Sequence, residues 1–154
     1  MTDWIRARAA GIRNAEKEKK DERERQISAT NELKVKTQPF WNELLSVLEQ
    51  SVQQFNVEFP EAERRIDQYD KSTATTLTIR RTIYPSATVK VSLNGGGTSI
   101  HYSISVTERK GANPIEKQSN CTLQVIDGDV RYAEGSVDTH EDMAKLFLEP
   151  FFAF

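Results

Sequence analysis

At Thr75 the apolar residues of this chain change from a helical repeat to a two-residue repeat. That change leaves few folds open. Before it, Trp41, Leu44, Leu45, Leu48, Val52 and Phe55 fall on one stripe, about 100° wide on a helical projection. Asn42, Glu43, Glu49, Gln50 and Gln53 take the other side. After it, Leu77, Ile79 and Ile83 alternate with Thr78, Arg80 and Thr82, and Val89, Val91 and Leu93 alternate with Thr88, Lys90 and Ser92. Ile100, Tyr102, Ile104 and Val106 then alternate with Ser99, His101, Ser103, Ser105 and Thr107. Cys121, Leu123, Val125, Val130 and Tyr132 continue the pattern.

Turn residues separate these runs: Pro85 and Ser86, then Asn94 with Gly95, Gly96 and Gly97, then Asp127 and Gly128. Asn, Asp and Gly tolerate the positive φ that tight turns demand. Parallel strands, buried on both faces, would read as continuous apolar runs, so alternation this regular predicts an antiparallel sheet with one apolar face. The expected fold is α+β. A meander of four to five strands is covered on its apolar face by an amphipathic helix over about residues 39–56 and a C-terminal helix over about residues 139–152. Thr37, Gln38 and Pro39 supply a start for the first helix, although Pro39 could instead kink a longer one. Asp138 and Glu141 have capping-box spacing for the second, whose stripe is Met143, Leu146, Phe147, Phe151 and Phe154, with Pro150 expected to kink or end it. Residues 61–74 are polar and fit either a short edge strand or an irregular connection.

Two units follow: a charged helical extension over residues 1–36 and a single globular domain over residues 37–154. The extension holds ten Lys/Arg and seven Asp/Glu, and the remainder eleven and sixteen. A basic extension is therefore joined to an acidic body. Residues 16–25 are ten consecutive charges, five of each sign. Pairs such as Glu16 with Lys20 support a solvated helix, but the run has no face to bury and lacks the sustained apolar a and d positions of a coiled coil. Trp4, Ile5 and Ile12 lie loosely on one side of the extension and are its candidate interaction residues. With Arg6, Arg8 and Arg13 they could also form an interfacial membrane helix, against which the ten charges argue.

One cysteine permits no intrachain disulfide, and two histidines without a Cys/His cluster give no basis for a metal site. No apolar run approaches the length of a membrane span and no secretory leader is visible, so a cytoplasmic location is the expectation. No cofactor motif is present: the glycines at 95–97 lack the lysine and the following helix of a phosphate loop. His101 reads as a solvent-face residue, His140 as part of an acidic helix start with Glu141 and Asp142, and Cys121 as a small buried hydrophobe. The carboxylates Glu58, Glu61, Glu63, Asp67 and Asp70 read as solvated loop charges.

The polar sheet face is the other candidate surface, for there Arg80, Lys90, His101 and Arg131 project among serines and threonines as candidate ligand-binding residues. Nucleic acid is not the expected partner, because the chain lacks the basic excess that phosphate neutralisation requires. The leading expectation is a non-enzymatic interaction or structural module, a homo-oligomer with a dimer as its expected state, formed through the N-terminal helix. The alternatives are an anion- or nucleic-acid-binding module using the polar sheet face, and a small enzyme whose site is assembled from scattered residues.

Overall fold

Alternation decides the sheet. In the computed structural model, which describes residues 3–133 and 137–152, every strand pairs antiparallel with its sequence neighbour. The strands are β1 (Gln68–Thr73), β2 (Thr76–Arg81), β3 (Ser86–Leu93), β4 (Ser99–Thr107), β5 (Ile115–Ile126) and β6 (Asp129–Tyr132). Helix α1 (Asp3–Glu58) precedes them and α2 (His140–Phe152) follows. The fold is α+β, with six strands rather than four to five.

The extra strand is β1, drawn from the polar connection. Tyr69 is its one partly buried residue, so no apolar alternation marks it. It exists because its backbone groups find partners on β2, with Gln68 opposite Arg80 and Tyr69 opposite Ile79. The Tyr69 hydroxyl donates to the Leu45 carbonyl at 3.1 Å, and burial, with Glu49 adding to it, pushes that phenol up to about 12.

Apolar residues of β2 to β5 face the two helices. Leu77, Ile79, Val89, Val91 and Ile100 are fully buried, together with Trp41, Leu44 and Leu48 of α1 and Met143, Phe147 and Phe151 of α2. Burying each such side chain contributes about 2 kcal/mol. The helices run side by side in one direction. His140 meets Phe40 at a tilt, ring centroids 4.5 Å apart, at one end, and Phe152 meets Phe55 at 5.0 Å at the other. Phe154, the last residue of the expected stripe, lies outside the described residues.

Three local expectations are corrected. First, α1 does not start near Pro39 but runs unbroken through it. The carbonyl that loses its donor to the proline ring is that of Val35, a residue 75% exposed, where water can take the donor's place. Thr37 is consequently mid-helix, its hydroxyl shared between the carbonyls of Leu33 and Gly97. Second, β2 ends at Arg81, so Ile83 falls outside the strand and is exposed, while Arg81 takes the inward position. Third, the α2 capping box is displaced by one residue. Thr139 accepts from the Asp142 amide at 3.1 Å, and the Asp142 carboxylate accepts from the amides of Asp138 and Thr139 at 3.2 Å each. Those bonds hold the Asp142 carboxyl below its ordinary value. Pro150 does not stop α2, which continues to Phe152.

Candidate functional site

Four places gather chemistry, and register explains the first. On the polar face Arg80 stands opposite Thr88, which stands opposite Ser105, which stands opposite Glu116. The next row holds Asp70, Thr78, Lys90, Ser103 and Gln118. Arg80 and Lys90 therefore meet diagonally and line one depression of about 350 Å³ with Gln68, Thr78, Thr88, Ser103, Ser105 and the carboxylate Glu116. Neither cation is hydrogen-bonded or ion-paired to a described residue. His101 lies one row further and is held by Asn120, Nδ1 to Oδ1, at 2.7 Å. Arg131 is not part of the group. It sits on β6 opposite Gln124, four residues beyond Asn120, roughly 13 Å further along the sheet.

The second place joins α1, β6 and α2. His140 Nδ1 lies 2.7 Å from the Tyr132 hydroxyl, and Nε2 lies 3.5 Å from Glu43. Burial pulls the imidazole below its ordinary value, against the opposing pull of Glu43. The Tyr132 hydroxyl is raised well above the usual phenol range by burial, with Cys121 adding to it. Lys36 donates to the Gly128 carbonyl of the β5–β6 turn, where Asp127 and Gly128 have φ of 52° and 83°. The partners of His140 are thus Tyr132 of β6 and Glu43 of the distant α1, not Glu141 and Asp142.

Arg81 is the third, and sequence reading passed over it. It is 1% exposed, donating from Nε to the Pro85 carbonyl at 2.9 Å and from a terminal nitrogen to the carbonyls of Arg64 and Phe151 at 3.1 and 3.0 Å. Its guanidinium also lies 5.7 Å from the Phe151 ring centroid. Parity held the signal: Arg81 occupies the inward place between Ile79 and Ile83. Desolvation lowers its pKa, Arg64 adding to this and Asp67 opposing it. A cation tied to the last turn of α2 and to two loops serves the architecture.

The fourth is α1 itself. From Asp3 to Glu32 every residue except the half-buried Ala9 is exposed, and the first residue packed against the body is Leu33. Trp4, Ile5 and Ile12 are 64%, 52% and 54% exposed. At the far end of the helix lies a groove of about 600 Å³ between α1 and α2, lined chiefly by apolar side chains.

Cys121 is buried, as the alternation implies, and Asp67 is a structural carboxylate accepting from the Thr82 amide and hydroxyl. Among the described residues no cluster of three His, Cys, Asp or Glu side chains is arranged to hold a metal ion. No helix among them is long and apolar enough to cross a membrane. No protein-family model matches the chain, and no curated protein or solved structure is significantly similar to it.

Proposed function

We propose that this chain is a non-enzymatic protein-interaction module that self-associates through its N-terminal helix, with a dimer as the assembled state. One observation carries the reading: α1 projects from Asp3 to Glu32 with no tertiary support, holding Trp4, Ile5 and Ile12 in solvent. Ordering a residue costs about 1–2 kcal/mol of backbone entropy, and most helical stability in proteins comes from packing an apolar face. A partner surface supplies what the chain itself does not. The sheet edges are poorer candidates. β1 is short and has a register irregularity between Asp70 and Thr73. The part of β5 not covered by β6 carries Lys117 opposite the buried Ile104, an inward-facing charge of the kind that blocks edge pairing. Cytoplasm is the compartment that suits a lone buried thiol kept reduced.

Light scattering behind size exclusion tests this reading. The full chain should elute with twice its 17.5 kDa mass, and Trp4→Ala/Ile5→Ala/Ile12→Ala should elute with the single mass at the same concentration. A monomeric parent chain would end the reading.

A second reading has an observation of its own. Two cations, Arg80 and Lys90, unpaired among the described residues and set against the one carboxylate of Glu116, share a hydroxyl-lined depression on the sheet face that suits a small oxyanion. Calorimetric titration with inorganic phosphate should show binding that weakens with salt and disappears in Arg80→Gln/Lys90→Gln. Absence of heat at millimolar phosphate would remove it.

A further inference from the structure

We propose that the tip of the N-terminal helix, residues 4–13, occupies the groove between α1 and α2 of a second copy of this chain, in a closed two-fold dimer. The proposal rests on the self-association reading and names the surface that receives the helix.

Both surfaces are apolar and both are open. The groove is floored by Phe55, Ala144 and Leu148 and walled by Val47, Phe59 and Phe152, of which Phe152 is 53% exposed. The tip offers Trp4, Ile5 and Ile12, each more than half exposed. Their charges are opposite. The tip carries Arg6, Arg8 and Arg13 against Asp3, whereas the groove is lined by Glu58 and Glu141 against Lys145.

Helix ends add to the match. α1 has no basic residue in its last turn, so the negative end of its dipole is left uncompensated by its own side chains, whereas the α2 end is met by Arg81, which donates to the Phe151 carbonyl. The two helices run in the same direction, which places that α1 end beside Phe55, Phe59 and Phe152. An antiparallel tip brings its own positive N-terminus, with Arg6 and Arg8, to that end of the groove.

Geometry excludes the chain's own groove. Arg8 and Gln54 belong to one continuous helix and lie about 70 Å apart along it at 1.5 Å per residue. A second copy reaches it without strain. With two α1 helices antiparallel and the dyad beside Asn31, residue 8 of each copy faces residue 54 of the other, and both contacts form together. Residues 4–13 then span about 14 Å against about 17 Å for the groove wall over residues 47–58. A two-fold contact of this kind closes on itself and does not propagate into fibres.

Cysteine pairing tests the arrangement, using exposed positions whose substitution leaves the fold intact. In the full chain, Arg8→Cys/Gln54→Cys treated with diamide should give a disulfide-linked dimer. Arg8→Cys alone and Gln54→Cys alone should not, since like positions stand far from the dyad. A charge exchange gives an independent readout. Glu58→Arg/Glu141→Arg and Arg6→Glu/Arg8→Glu/Arg13→Glu should each weaken self-association at least tenfold, and an equimolar mixture of the two should recover both contacts as a heterodimer. If the parent chain is a dimer but the double-cysteine variant does not cross-link, the groove is not the receiving surface and self-association stands. Cross-linking of Arg8→Cys to itself would show tips side by side and overturn the proposal. A monomeric parent chain would overturn both the proposal and the reading beneath it.

Discussion

Arg81 and Gly97 show how single residues fix this fold, and each gives a measurable consequence. Arg81 ties the carbonyls of Arg64, Pro85 and Phe151 together from a buried position. Removing the cation strands those acceptors, and hydrogen bonds to a charged group are worth about 1.5–3 kcal/mol each. Arg81→Met should therefore lower unfolding stability in urea by about 3 kcal/mol or more, and an unchanged midpoint would contradict that role. Gly97 sits at φ of 69°, where an added Cβ would meet the Thr37 Cβ at 3.4 Å. Gly97→Ala should cost about 1–2 kcal/mol, the penalty of a left-handed backbone for an L-residue. His140 gives a pH dependence. Its imidazole is held below the ordinary value by burial, so the unfolded chain binds that proton more readily than the folded one. The stability contributed by neutral His140 is full above about pH 6.5 and is lost as pH falls below it. Melting temperatures between pH 7.5 and 5.5 should fall more steeply for the parent chain than for His140→Gln; parallel curves would refute the assignment. Local sequence marks the inward parity of Arg81 and the turn at Gly97, but not the partners of any of the three. Arg81 and His140 act through partners brought in by tertiary folding, and Thr37 resembles a helix start until Gly97 is seen against it.

Elements were read more fully, because periodicity is a local property. The β2 to β5 alternation and the α1 and α2 stripes place the core residues where they lie, with Leu77, Val89, Ile100, Trp41 and Phe147 all buried. β1 escaped clear reading because backbone pairing, not side-chain burial, defines it. The continuity of α1 was left open, because proline is costly only where its orphaned carbonyl is sealed from water. Of the candidate polar patch, Arg80 and Lys90 share a depression and Arg131 does not, since strand order and register, which alternation leaves open, decide which rows meet. At this scale the projecting segment makes its own prediction. Trp4→Ala/Ile5→Ala/Ile12→Ala touches nothing in the body of its own chain, so at concentrations too low for dimerisation its unfolding free energy should stay within about 0.5 kcal/mol of the parent's. A larger loss would mean that the segment supports the domain directly.

At the scale of the whole molecule, charge is divided by position. Ten Lys/Arg and seven Asp/Glu lie in residues 1–36, against eleven and sixteen in the rest. A basic projection and an acidic body attract between copies, and that attraction is screened over about 8–10 Å at ordinary ionic strength. The dimer should accordingly weaken as salt rises, while its apolar contacts keep it from vanishing; affinity that strengthens from 0.05 to 0.5 M salt would place the association elsewhere. Hydrogen exchange across residues 3–32, measured over a hundredfold range of protein concentration, tests the central claim most directly. An unsupported helix opens by fraying and exchanges quickly, whereas one packed on a partner is protected by the association free energy. The account predicts slow exchange in this segment at high concentration that is lost on dilution, with the exchange of β2 to β4 unchanged. Rapid exchange at every concentration would contradict it and leave the N-terminal helix without a role in assembly.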